Sequence, residues 1–181
     1  VTKPKTMAAT SYAFAGVTIE KSVTCWGDAA LGGDSSRVAA ALSSGVVSIV
    51  SNLFAFAAIK EDGSVVSWGN PYNGGDSSDV ATALSSGVVS VVSSSFAFVA
   101  VKEDGSAVCW GSATSGGYYS SVAKALSSGV ISVVSNDKAF VAIKDVGSAV
   151  TWGSATSGGD SSLVATALSS GVISVLSDPK G

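Results

Sequence analysis

The residues that carry most protein chemistry are few in this chain, and they recur in repeated surroundings. The sequence has no His and two Cys, and 13 Asp and Glu stand against 10 Lys and Arg. Without His, the commonest general base, the commonest zinc ligand and the usual pH switch are all missing. A Cys–His nucleophile pair is excluded for the same reason. Cys25 and Cys109 occupy equivalent positions two repeat units apart, where Ser67 and Thr151 stand in the other copies. That separation exceeds the roughly 7 Å between Cα atoms that a disulfide bridges. Both are expected to be reduced, buried thiols.

Carboxylates concentrate at Lys60-Glu61-Asp62, Lys102-Glu103-Asp104 and Lys144-Asp145. Paired carboxylates of a glycosidase need a cleft and contrasting environments. Copies on separate turns offer neither, so solvated turns are expected. The second recurring acid lies in Gly-Gly-Asp-Ser-Ser, at Asp34, Asp76 and Asp160, with Tyr118 in the third copy. A short side-chain oxygen there suits a helix N-cap. One carboxylate per copy is too few for calcium, which takes six to eight oxygens. No Gly-Lys-Ser or Gly-Lys-Thr follows the glycines, so this is not a phosphate-binding loop. No catalytic, cofactor or metal site is expected, and the chain reads as a non-enzyme.

The aromatic residues suggest binding instead. Trp26, Trp68, Trp110 and Trp152 read first as packing residues and second as platforms for sugars or a partner chain. Tyr118 and Tyr119 replace the Asp-Ser of the other copies, and Tyr72 lies in the preceding loop. These three tyrosines are the candidate interaction surface, for protein or for carbohydrate.

These residues sit on a strict internal repeat. The four Trp are 42 residues apart, each followed by Gly. Phe14, Phe56, Phe98 and Phe140 keep the same step, as do Leu42, Leu84, Leu126 and Leu168 and the Gly pairs beginning at Gly32, Gly74, Gly116 and Gly158. The chain divides into units at about 4–45, 46–87, 88–129 and 130–171, with an extra strand at 172–177.

Within a unit, Val88–Ser93 is β-branched and reads as a strand. A second strand over Phe96–Lys102 is apolar on both faces, Phe98 and Ala100 on one, Ala97, Val99 and Val101 on the other. Such a strand is covered on both sides, as where repeat units pack on one another. Asp104-Gly105 marks a hairpin turn, and Ala107–Trp110 is the third strand. A Gly-rich loop then leads to a short helix, capped by Asp76 or Ser77 and stopped by Gly87 in the second unit. Val80, Ala83 and Leu84 form its apolar stripe.

Composition is consistent with a packed array. Hydrophobic residues make up 46% and charged residues 13%, enough apolar material for a core. The formal charge of −3 gives no basic face, so nucleic acid is not an expected partner. No run approaches the roughly 18–20 apolar residues of a membrane span. The polar stretch at Val1–Thr6 is no signal peptide. Without an initiator Met, the chain is expected to be a processed product or a piece of a longer one.

One combination resembles a known family. Val130-Ile131-Ser132-Val133-Val134, then Ala139-Phe140-Val141-Ala142-Ile143-Lys144, then Gly147 through Trp152-Gly153, is similar to the regulator of chromosome condensation repeat. The unit also resembles long tandem arrays in algal and protist proteins. The resemblance covers about half of each unit and implies a β-propeller, usually of seven blades, with nucleotide exchange as a family activity. This chain departs from the family in its shorter unit, in a helix where the family has a further strand, and in lacking the family's His. Four units do not make seven blades. Met7–Thr10 and Val172–Leu176 both read as first strands, whereas a ring closed by sharing a strand needs only one.

The expectation is therefore a mainly β tandem-repeat protein of three antiparallel strands and a short helix per unit. It forms a propeller-like or open arc, with a linear solenoid as the alternative. Its expected function is a structural scaffold that assembles through unit-to-unit or end-to-end packing, with copies of itself or a larger assembly as partner. A ligand- or protein-binding module is the alternative, and nucleotide exchange a third reading by family resemblance alone. A scaffold of this kind fits a cell surface or a large assembly.

Overall fold

The computed structural model describes residues 6–177, so most of the polar N-terminal stretch lies outside it. Among the described residues, twelve strands form four three-stranded antiparallel sheets in chain order. The first sheet is β1 (Met7–Ala9), β2 (Ala13–Val17) and β3 (Val23–Gly27). The second is β4 (Val46–Ser51), β5 (Ala55–Lys60) and β6 (Val65–Gly69). The third is β7 (Val88–Ser93), β8 (Ala97–Lys102) and β9 (Ala107–Gly111). The fourth is β10 (Val130–Ser135), β11 (Ala139–Lys144) and β12 (Ala149–Gly153).

Turn chemistry sets the hairpins. Gly63 and Gly105 adopt φ of +72° and +77°, which costs glycine little. Asp62 and Asp104 accept from the backbone N–H and hydroxyl of Ser64 and Ser106, closing each turn. The resulting register places each Phe opposite a Trp, as in Phe98 opposite Trp110.

The core lies between units. The middle strand directs alternate side chains to opposite neighbours. Ala13, Ala15 and Leu42 of the first unit pack against Phe56, Ala58 and Trp68 of the second. Ala55, Ala57 and Leu84 of the second pack against Phe98, Ala100 and Trp110 of the third. Ala97, Val99, Cys109 and Leu126 of the third pack against Phe140, Ala142 and Trp152 of the fourth. The three joints are copies of one another, and burying each Phe contributes roughly 1.5–3 kcal/mol.

The units follow one another in order, each first strand linked to the one before. Ser51 Oγ donates to Ala9 O at 2.7 Å, Ser93 Oγ to Ser51 O at 2.8 Å and Ser135 Oγ to Ser93 O at 2.7 Å, linking the first strands in order. Ala9, Ser51, Ser93 and Ser135, one from each unit, line a single shallow depression. The first strands of all four units thus lie along one side of the array, each bonded to the one before.

The segment after each Trp-Gly folds differently from expectation in its details. The short helix is a 3-10 turn, Ser36–Val38, Ser78–Val80 and Ser162–Val164, followed by further turns. Val80 N–H donates to Ser77 O and Ala81 N–H to Ser78 O. One α-type bond, from Leu84 N–H to Val80 O at 3.0 Å, closes the segment, and Leu84 O then accepts from Val65 N–H of the sheet at 2.9 Å. The third unit keeps the equivalent bonds, Val122 N–H to Tyr119 O at 2.9 Å and Ala123 N–H to Ser120 O at 3.4 Å, although Tyr118 lacks the carboxylate with which Asp34, Asp76 and Asp160 accept from the Ser N–H two residues on.

Val172–Leu176 is not a strand. In every other unit the first strand pairs with the second strand of the same unit, and among the described residues no such strand follows it. Met7–Ala9 does pair with β2, as expected.

Candidate functional site

The residues considered for catalysis are dispersed. The acids at the turns remain on their separate hairpins. Among the described residues, no group of three or more His, Cys, Asp or Glu is placed to hold a metal ion, and no helix is long and apolar enough to cross a membrane. The turn lysines differ from a purely solvated reading. Lys60 Nζ donates to Ala41 O at 2.7 Å and Lys102 Nζ to Ala83 O at 2.8 Å, and Lys144 reaches Ala125 O in the same way. They tie each hairpin to the segment arriving from the unit before.

Both cysteines are free. Cys109 is buried, and burial pushes its thiol well above the usual range. Cys25, expected to be buried, is only half-buried, with its Sγ 3.0 Å from Ser35 Oγ. Ser35 stands beside Cys25 in the place of the bulkier Tyr119.

The tryptophans divide by position. Trp68, Trp110 and Trp152 are buried, each stacked on the Phe opposite it at 5.1–5.5 Å between ring centres. Each indole N–H donates to the first Gly carbonyl of the preceding unit's Gly pair: Trp68 to Gly32 at 3.0 Å, Trp110 to Gly74 at 3.1 Å and Trp152 to Gly116 at 3.1 Å. A Cβ at Gly32, Gly74 or Gly116 would lie within 2.4–2.6 Å of the Phe ring seated there. Each Phe–Trp pair is thus a knob, and each Gly pair its socket. Trp26 is the exception: it stacks on Phe14, and the two are 48% and 50% exposed. At the other end, a Cβ on Gly158 would meet nothing within 4 Å. The sequence reading missed the sockets, although the invariant spacing between Trp and Gly pair was a visible sign of them.

Tyr72, Tyr118 and Tyr119 line one groove, of about 760 Å³, between the loops of the second and third units. Tyr72 and Tyr118 are largely exposed, whereas Tyr119 is half-buried against the core of the third joint. Burial raises the Tyr119 phenol above its ordinary value, and neighbouring Cys109 adds to this. Asp76 and Asp79 line the same groove. The Asp76 carboxyl lies below its usual range, chiefly through the Ser78 N–H it accepts and in small part through Arg37.

No family model and no curated protein matches the sequence. Solved structures do match. The chain superposes on the CRINKLY WD40 ectodomain of the Arabidopsis thaliana receptor kinase ACR4 with a TM-score of 0.52 and 20% identity, covering 81% of this chain and 48% of that one. It superposes on Prp20p of Saccharomyces cerevisiae with 0.54 and 15%, covering 81% and 43%. On yeast RCC1 (Prp20) bound to Kap60, the values are 0.55 and 16%, covering 81% and 42%. The chain therefore spans less than half the length of these structures. The likeness is one of fold: a mainly β repeat protein of the kind expected from the resemblance to regulator of chromosome condensation repeats.

Proposed function

We propose that the chain is a non-enzymatic scaffold, a protein-interaction module that associates end to end through the packing that joins its own units. The supporting observation is the threefold knob-and-socket joint. Phe14 and Trp26 present the knob at the outer face of the first unit, half-exposed. Gly158 presents an open socket on the fourth, beside a groove of about 610 Å³ lined in part by Ala139, Val141 and Leu176. A contact between one surface and a different one on the next copy is heterologous, giving rings or filaments according to the angle it sets. The fold neighbours are compatible with protein binding: Prp20p binds Gsp1p and histones, and the second yeast structure holds Kap60.

The test is sedimentation or light scattering of the 181-residue chain across a concentration series. The expected result is a mass that rises with concentration and is returned to that of the monomer by Phe14→Ser with Trp26→Ser. A mass that stays monomeric into the millimolar range would overturn the reading.

A further inference from the structure

The groove holding the tyrosines has an internal counterpart one repeat earlier. That earlier groove, about 640 Å³ between the first and second units, is lined by the equivalent positions. Of the fifteen positions that line both grooves, seven are identical, and four of the eight differences change charge or add an aromatic ring. Where the later groove has Tyr72, the earlier has Ala30; where it has Asp79, the earlier has Arg37. Tyr118 and Tyr119 stand in the places of Asp76 and Ser77. None of these four identities recurs at its position in any other unit: Thr114 and Thr156 match Tyr72, Ser121 and Leu163 match Asp79, and Asp160 and Ser161 match Tyr118 and Tyr119. Residues from two different units that break the repeat thus converge on one groove.

The changes share a chemical direction. The earlier groove carries its own guanidinium, Arg37, together with Asp34 and Asp76. The later groove has Asp76 and Asp79 and no Lys or Arg among its lining residues. An anionic ligand is disfavoured there, and a cationic one meets two carboxylates with no Lys or Arg among the groove's lining residues, although Asp76 is held by the Ser78 N–H and lies within reach of Arg37's charge. The exposed tyrosine rings add flat apolar faces, and phenol hydroxyls add donors. An extended proline-containing peptide suits both features. Its rings stack on aromatic side chains, and its carbonyls make no internal hydrogen bonds and are free to accept. A neutral sugar would use the tyrosines but would gain nothing from the reversal of charge at position 79.

We infer that the groove between the second and third units is a docking site for an extended, proline-containing segment of a partner protein that carries arginine or lysine. Tyr72 and Tyr118 form its stacking faces, Tyr119 its floor, and Asp76 and Asp79 receive the cation. The site goes beyond the scaffold reading and does not depend on end-to-end association.

The experiment is calorimetric titration of the intact chain with a terminally blocked peptide alternating Pro-Pro with Arg. Controls are the same peptide with Glu for Arg, and a neutral glucan oligosaccharide. Three variants install residues that sibling units already use: Tyr72→Thr, Tyr118→Asp with Tyr119→Ser, and Asp79→Arg. Circular dichroism and thermal melting check that each retains the fold. The expected result is binding of the Arg peptide that weakens at high salt, is lost with the Glu peptide, and falls at least about tenfold in each variant. No heat from the Arg peptide at millimolar concentration would overturn the inference. So would equal binding of the Glu peptide, binding of the oligosaccharide alone, or affinity unchanged in the variants.

Discussion

The indole N–H of Trp110 donates to the carbonyl of Gly74 at 3.1 Å, and the Phe98 ring stacked on that indole occupies the space where a Gly74 side chain would be. One glycine thus serves both as hydrogen-bond acceptor and as cavity. Gly158 has almost the same backbone, φ +93° against +96°, but nothing faces it. Both positions carry the cost of left-handed backbone for an L-residue, about 1–2 kcal/mol. Only Gly74→Ala adds a clash with a buried ring, worth about 1–3 kcal/mol more. Urea unfolding is therefore expected to show a clearly larger loss for Gly74→Ala than for Gly158→Ala. Equal losses would mean that the backbone, and not the socket, requires glycine.

The leucines of the repeat give a second internal comparison. Leu84 is 1% exposed in the joint between the second and third units, whereas Leu168 of the fourth is only half-buried. Leu84→Ala is expected to cost about 2–5 kcal/mol through lost transfer energy and a cavity. Leu168→Ala should cost under about 1 kcal/mol, because solvent already reaches the site. The measurement is the difference in denaturant midpoint between the two variants.

Much of this was legible because the repeat is exact in spacing. The strands, the Asp-Gly turns and the two-faced middle strand follow from β-branched runs and alternation, and they are found where those signals lie. The short helix was misjudged in type. Val80, Ala83 and Leu84 have helical spacing, but the segment is only about two turns long, and it closes with 3-10 bonds and a single α-type bond from Leu84 N–H to Val80 O. The contrast between Trp26 and Trp110 was hidden for the same reason. Similar local sequence has different burial where, among the described residues, a preceding unit packs on one copy and not on the other. The tyrosines were visible as departures from the repeat, yet that Asp79 shares their groove is a product of how two loops are brought together.

Ser67 supplies a stability prediction. Among the described residues its buried hydroxyl has no protein hydrogen-bond partner, at the position where Cys25 and Cys109 stand in sibling units. An unsatisfied buried hydroxyl costs about 1–3 kcal/mol. Ser67→Cys keeps nearly the same shape and replaces the hydroxyl with a weakly polar thiol that the joint already accommodates. It is expected to raise the melting temperature by a few degrees, roughly what 1 kcal/mol provides in a domain of this size. A lower melting temperature would show that the hydroxyl has a partner, such as a bound water.

Acid should loosen the hairpins and loops in a defined window. Hydrogen bonds from Ser64 and Ser106 hold Asp62 and Asp104 below the ordinary carboxylate value of 3.8, and the Ser36, Ser78 and Ser162 N–H groups do the same for Asp34, Asp76 and Asp160. A folded-state value below the unfolded one means that the stabilisation is complete above about pH 4–5 and is lost as pH falls through the lower value. Thermal melts should be flat from neutrality to that point and then decline. Asp104→Ala should lower the plateau and make the decline shallower. An unchanged slope would show that these turns do not contribute.

The two thiols differ in burial and in the residue beside them. Cys109 lies beneath Tyr119, which packs on the third joint, whereas Cys25 has only Ser35 over it. Thiol reagents attack the thiolate, so both burial and a raised pKa protect a cysteine. In the native chain a dithionitrobenzoate assay is expected to label Cys25 and spare Cys109, with both reacting after unfolding in urea. Cys25→Ser should abolish the native signal. Tyr119→Ser should restore a native signal in the Cys25→Ser background, since it gives Cys109 the same thin cover that Cys25 has. If Cys109 stays inert in that double variant, its protection comes from the joint with the fourth unit, and the tyrosine is not its lid.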